Sequence, residues 1–184
     1  MDDIVHFMGL PYDGSRPPSS AGDVARLAEA LQDNGFAVSE PLPPSGGPGD
    51  GDNPALEVWQ QGFGAEVSLE KDWTVQVLIS VEYIDVVRDA VAGRRGIELL
   101  ARLIGTLAEL ADPYLGFIST DAGDDLSFLV EDRPVEITEP LALAYFGRRY
   151  LDDWGTTPDF AGGAEYTAQL SGGVLVIPAL EGLG

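Results

Sequence analysis

Three carboxylates fall within five residues in Asp121-Ala122-Gly123-Asp124-Asp125, enough oxygen donors to begin a Ca²⁺ or Mg²⁺ site. A calcium loop of the EF-hand kind needs regularly spaced donors closed by a bidentate Glu. That spacing is missing, so the segment reads as an exposed acidic turn. Asp50 and Asp52, set in a Pro/Gly-rich stretch, carry less. His6 is the single histidine and cysteine is absent, which removes thiol nucleophiles, CxxC redox chemistry and Cys-ligated zinc together. A Ser-His-Asp triad would have to use His6, yet no G-x-S-x-G elbow occurs, and Ser15, Ser19, Ser20 and Ser45 stand in turn and cap contexts. Asp152 with Asp153, or Glu66 with Glu70, are nominal acid and base pairs. With 31 acidic residues such pairs arise by chance, and neighbouring carboxylates on a helix do not face one another. Gly46-Gly47 and Gly172-Gly173 match neither phosphate-binding glycine pattern and have no lysine beside them. No catalytic residue, metal ligand set or cofactor is therefore expected.

One stretch stands apart. Tyr145-Phe146-Gly147-Arg148-Arg149-Tyr150-Leu151-Asp152-Asp153-Trp154-Gly155 is dense in aromatic and charged residues. Tyr150, Leu151 and Trp154 fall at i, i+1 and i+4, so on a helix they share a face, with Arg148, Arg149, Asp152 and Asp153 left to solvent. Two readings stay open. The shared face docks on a sheet as core, or it presents an interaction surface, because Trp, Tyr and Arg are common interface anchors.

The charge of the whole chain narrows the choice of partner. Over 184 residues, 31 Asp and Glu oppose 10 Lys and Arg, for a net charge of −21, and Lys71 is the one lysine beside nine arginines. Such a surface repels itself at low ionic strength, whereas at 1 M salt the screening length falls to about 3 Å. The composition resembles that of proteins from salt-accumulating haloarchaea; an acidic protein from a high-GC bacterium is the alternative. Direct binding of a nucleic-acid backbone is disfavoured, since Arg94-Arg95 and Arg148-Arg149 are the only dense cationic pairs. A cationic protein partner is the reverse case. MDDIVHFMGL opens with acids and does not read as a signal peptide. No segment reaches the about 18 apolar residues of a membrane span, so no membrane contact and a cytoplasmic location are expected.

The elements that must hold these residues follow from periodicity. Ile4 to Leu10 is a short apolar strand. Ser20 and Asp23 open a helix that carries Val24, Leu27, Ala28 and Leu31 on one face and stops at Asn34-Gly35. Phe36 to Ser39 is a brief strand. Trp73 to Tyr83 alternates strictly, the pattern of a half-buried antiparallel strand, with Ala65 to Glu70 as its hairpin partner and Leu56 to Phe63 as a further strand. Asp85 to Val91 makes a helical turn and Gly93-Arg94-Arg95-Gly96 a break. Ile97 to Ala111 then forms a long amphipathic helix stopped by Pro113. Tyr114 to Ser119, Leu126 to Val130 and Leu141 to Phe146 are strands, Gly147 to Trp154 a short helix, and Glu165 to Ala179 a terminal hairpin. The predicted class is α+β, an antiparallel or mixed sheet with two main helices packed on one face. It is expected to be a single domain over 1–184 with a Pro/Gly-rich loop at 41–54, since the first 40 residues alone make too small a core.

The order of a strand, YFGRRYLDDWG, a spacer and the terminal GGVLVIP strand, preceded by a long helix ending in ADPYLGFIS, resembles small α+β immunity proteins of polymorphic and secreted toxin systems. The likeness spans about half the chain and rests on element order. It implies a non-enzymatic inhibitor that occludes a protein partner, a cationic toxin or enzyme. Asp121, Asp124, Asp125, Asp152 and Asp153 would meet a cationic rim, with Tyr150 or Trp154 as anchor if exposed. A metal-dependent hydrolase using Asp121 and Asp124, or a structural or assembly protein of a halophile or its virus, are the alternatives. If the acidity serves salt tolerance, circular dichroism and sedimentation should show folding strengthened towards molar KCl, with no added gain from MgCl₂ at matched ionic strength. A Mg²⁺-specific gain at low salt would instead assign the carboxylates to a site.

Overall fold

Apolar strand-length runs such as Val75–Ser80 and Gly173–Pro178 leave water only when paired with other strands, and the chain supplies enough of them for one wide sheet. The computed structural model describes residues 4–10, 21–41, 55–61, 63–68, 75–80, 93–119, 136–137 and 141–179. These form, in order, β1 (Ile4–Leu10), α1 (Ala21–Asp33), β2 (Ala37–Val38), β3 (Ala55–Gln60), β4 (Phe63–Ser68), β5 (Val75–Ser80), α2 (Gly93–Ala111), β6 (Leu115–Ser119), β7 (Glu136–Ile137), β8 (Leu141–Gly147), α3 (Arg148–Trp154), β9 (Asp159–Phe160), β10 (Ala164–Leu170) and β11 (Gly173–Pro178). Nine strands lie in the order β10-β11-β8-β6-β1-β5-β4-β3-β2, and every neighbouring pair is antiparallel. β7 and β9 form a separate two-stranded parallel ribbon. The chain is thus α+β.

Both long helices cover the same face. Val24, Leu27 and Leu31 of α1 and Leu99, Leu103, Ile104 and Leu107 of α2 share one buried cluster with Leu56, Val67, Ile118, Leu143, Tyr145, Leu175 and Ile177 from five strands. Asp23 in the first turn suits the positive end of α1 and pairs with Arg26. Gly35 ends α1 at φ +86, donating its N–H to the Gln32 carbonyl at 2.9 Å. Thr106, the buried polar residue of α2, donates its hydroxyl to the Arg102 carbonyl at 2.9 Å. Past Ala111, Asp112 takes φ +45, a left-handed conformation that Asp tolerates, and Pro113 prevents the helix from resuming.

Among the described residues, a second buried cluster covers one half of the opposite face. Leu115, Phe117, Ala144, Phe146 and Val176 pack there with Tyr150 of α3 and Ile137 of β7. The register shifts between Ile118 and Ser119, which pair with Leu143 and Leu141 across β8. This bulge at Ala142 inverts the side-chain alternation, so Leu141 joins Ala144 and Phe146 while Leu143 faces the helices.

Several expectations are sharpened. Leu56 to Phe63 is two strands: Gln60 pairs with Phe63, and Gln61 turns at φ +52. Gly93-Arg94-Arg95-Gly96 belongs to α2, as the first turn of the helix whose apolar face packs on the sheet; burial of that face outweighs the low propensity of the glycines. β7 and β9 are two residues each, below the reach of any periodicity. The cap at Ser20, the turn at Asp85 to Val91, the strand at Leu126 to Val130 and residues 42–54 of the Pro/Gly-rich loop lie outside the described residues.

Two glycines fix how β8 ends. A Cβ on Gly147 would lie 2.0 Å from the Pro113 carbonyl oxygen, and one on Gly173 would lie 2.1 Å from that of Phe146. Gly155, at φ +77, has open space around it. Gly147→Ala and Gly173→Ala should each lower unfolding free energy by about 3 kcal/mol, and Gly155→Ala by about 1 kcal/mol, through backbone conformation alone. Urea unfolding of the three variants checks this order.

Candidate functional site

The site is built by the turn from β8 into α3. Gly147 donates its N–H to the Tyr114 carbonyl at 3.0 Å, so the chain crosses directly over the exit of α2. The seven-residue α3 that follows is closed by Gly155, whose N–H donates to the Leu151 carbonyl. Its inner face is aromatic. Tyr150 packs edge-on to Tyr114 at 5.4 Å between ring centroids and tilted to Phe146 at 5.0 Å. Phe160 of β9 closes the group against Phe146 at 6.4 Å.

The outer face carries charge in an unfavourable order. Arg148 and Arg149 occupy the first turn of α3, and Asp152 and Asp153 the last. A helix favours anions at its amino end and cations at its carboxy end, so helix stability does not explain this placement. The arginines are engaged elsewhere. Arg148 donates to the Ser171 carbonyl at 2.8 Å, and Arg149 lies 3.4 Å from the Asp112 carboxylate just beyond α2. The Ser171 hydroxyl donates in turn to Glu109 of α2. These contacts tie α3 and the β10–β11 turn to the end of α2.

At the other end, the Trp154 indole N–H donates to the Tyr114 hydroxyl at 3.0 Å, and that hydroxyl donates to Asp153 at 3.1 Å. The chain of bonds fixes the edge of the indole, while Trp154 remains 39% exposed. Asp152 is exposed beside it. An oriented aromatic with carboxylates at its rim can receive a cationic side chain through ring and charge together.

Beneath this surface Tyr145 is buried, its hydroxyl 2.8 Å from where a Cβ on Gly173 would stand. Burial pushes its phenol well above the ordinary value, the Asp112 carboxylate adds to the rise, and Arg148 opposes it.

The sequence-derived site residues divide. Asp152, Asp153 and Trp154 share the outer surface of α3. Tyr150, whose role required exposure, is 1% exposed and belongs to the core beneath. Asp121, Asp124 and Asp125 lie outside the described residues. Among the described residues, no three His, Cys, Asp or Glu side chains gather as a metal site, and no helix is long and apolar enough to cross a membrane. Tyr114, Asp112 and Ser171 were invisible as participants, since their partners stand 37 to 40 residues away for the first two and 62 and 23 for the third. Only the glycine between an apolar run and Arg148-Arg149 hinted at the crossing.

No protein family model and no curated protein matches the chain. Among solved structures, the Pseudomonas aeruginosa T6SS protein PA0821 aligns at a TM-score of 0.42 and 10% identity, over 95% of this chain and 64% of that one. This chain therefore spans less than two thirds of that protein's length.

The Tyr145 phenol yields a pH prediction. Its folded-state value is raised, so its contribution is complete below about pH 10, the unfolded value, and is lost as pH rises above it. Above pH 10 stability should fall by up to about 1.4 kcal/mol per pH unit on its account. Urea unfolding between pH 9 and 11 should show a shallower fall in Tyr145→Phe; equal slopes in both proteins would contradict the assignment.

Proposed function

We propose that this chain is a non-enzymatic acidic binding protein of the immunity or inhibitor kind, which occludes a cationic surface on a protein partner. The outer face of α3 is the contact. Trp154 anchors it, Asp152 and Asp153 meet the partner's basic groups, and Asp121, Asp124 and Asp125 are proposed as further carboxylates for a cationic partner. Residues 1–184 act as one domain, in the cytoplasm.

The observation that carries the reading is the reversed charge of α3. Two carboxylates stand at the helix end that disfavours them, beside a half-exposed indole held by Tyr114. Exposed, oriented Trp is a common anchor of interfaces, and rim carboxylates add specificity and association rate more than affinity. At molar salt the steering is screened, so the affinity of such a contact comes from the indole and from close hydrogen bonds.

Co-expression with the products of the genes adjacent to its own tests the proposal. A growth-inhibiting product should be neutralised and co-purify at molar KCl. Trp154→Ala and Asp152→Lys should each weaken that complex by about tenfold or more. Asp152→Lys should meanwhile stabilise the free protein by about 0.3–1 kcal/mol, because it puts a cation at the carboxy end of α3. A complex indifferent to both substitutions, or one that dissociates between moderate and molar salt, would overturn the reading.

A further inference from the structure

Beyond α3, the side of the sheet opposite the helices carries a second feature, formed by exposed residues of β3 and β4. On β3, Leu56 and Val58 face the helices, so Ala55, Glu57 and Trp59 face away. Trp59 is 46% exposed, and its register partners on either side are the small residues Ala37 and Gly64. A Cβ on Gly64 would meet nothing within 4 Å. The indole thus stands beside two small register partners and remains open to solvent. One row along, Glu57 and Glu66 face each other directly across β3 and β4. Like charges in that position repel. Among the described ion pairs neither carboxylate has a counter-ion, since Arg26 pairs with Asp23 and Arg149 with Asp112. Glu66 lies diagonally from Trp59, a separation of about 7–8 Å that aromatic and long side chains span.

We propose that this shelf binds an arginine side chain on an extended segment of a protein partner. The guanidinium would lie on the Trp59 indole and direct its fork towards Glu57 and Glu66. A planar cation uses an aromatic face and paired carboxylates at once, which a lysine ammonium does not. Binding would also relieve the repulsion between the two glutamates. The proposal goes beyond the α3 reading and shares no residue with it, so either can fail alone.

The test titrates the full chain with a blocked tetra-arginine peptide, following the three tryptophan indole N–H signals by NMR and affinity by calorimetry, with tetralysine and tetracitrulline as controls. The Trp59 signal should move and those of Trp73 and Trp154 should not. The double variant Glu57→Gln/Glu66→Gln and the single variant Trp59→Ala should each weaken binding by about tenfold or more, whereas Glu29→Gln/Asp33→Asn on α1 removes the same charge and should change it less than about twofold. The Glu57→Gln/Glu66→Gln protein should also gain about 1–2 °C in Tm through relief of repulsion, so lost binding cannot be ascribed to lost folding. Equal weakening by both double variants would reduce the effect to net charge and overturn the proposal. Binding of tetralysine as tight as that of tetra-arginine would overturn it too, as would a perturbation confined to Trp154.

Discussion

The apolar seam between α2 and the middle of the sheet is the contact on which the remaining geometry depends. Leu103, Ile104 and Leu107 of α2 meet Ile118, Leu143, Tyr145 and Leu175 in one buried cluster that also takes in α1. Each fully buried aliphatic side chain contributes about 1.5–3 kcal/mol, and six of the seven residues named here are aliphatic. The seam does more than stabilise. It fixes where α2 ends, and the end of α2 is where Asp112, Pro113 and Tyr114 receive the returning chain at Gly147. A shift of α2 along its axis would separate Asp112 from Arg149 and Glu109 from Ser171 together.

From that junction the two faces of the sheet acquire different fates. The helix-facing side is closed by two helices and has no described large hydrophobic exposed. On the other side, the bulge at Ala142 turns Leu141 towards Phe117 and Ile137, and so builds a compact patch on which α3 docks through Tyr150. The patch covers β6, β8 and β11. Across β3 and β4 the same side shows Glu57, Trp59 and Gly64 to solvent. Of the two exposed tryptophans among the described residues, Trp154 belongs to the helix that covers the patch and Trp59 to the same face of the sheet beyond it.

Much of this was legible in local patterns. The 3.6-residue stripe of Ile97 to Ala111, the alternation of Trp73 to Tyr83 and the glycines at 35, 155 and 172–173 predicted a helix, a strand and chain turns that the structure contains, the helix starting earlier at Gly93 and the strand described over Val75–Ser80. What local pattern could not reveal is pairing at long range. β1 lies between β5 and β6, so the first described strand sits at the centre of the sheet, beside strands far from it in sequence. The site divides in the same way. Asp152 and Asp153 were legible as the solvent side of a helix, but helical spacing put Trp154 on one face with Tyr150, and only docking on Phe146 and Tyr114 distinguishes the inward aromatic from the exposed one. The Tyr114 hydroxyl, which positions Trp154, belongs to a segment read simply as strand.

Salt adaptation can account for the number of carboxylates without accounting for their positions. Screening by molar salt asks only that acidic groups lie somewhere on the surface, and any exposed site serves. Random placement among exposed sites also has no reason to favour those where a carboxylate is locally disfavoured. Yet Asp152 and Asp153 stand against the dipole of α3, and Glu57 faces Glu66 across the ladder. These two departures adjoin the two exposed tryptophans, whereas Asp33 and Glu109 stand against the dipoles of α1 and α2 in the same way, so it is the pairing with an exposed indole that distinguishes them. Local conflicts of this kind tend to mark functional surfaces, where stability has been given up for recognition. High salt weakens the long-range part of each repulsion while leaving close contact nearly intact, so a protein adapted to it can keep such arrangements at little cost. On this view the acidity of the whole chain and the placement of these four carboxylates have different causes.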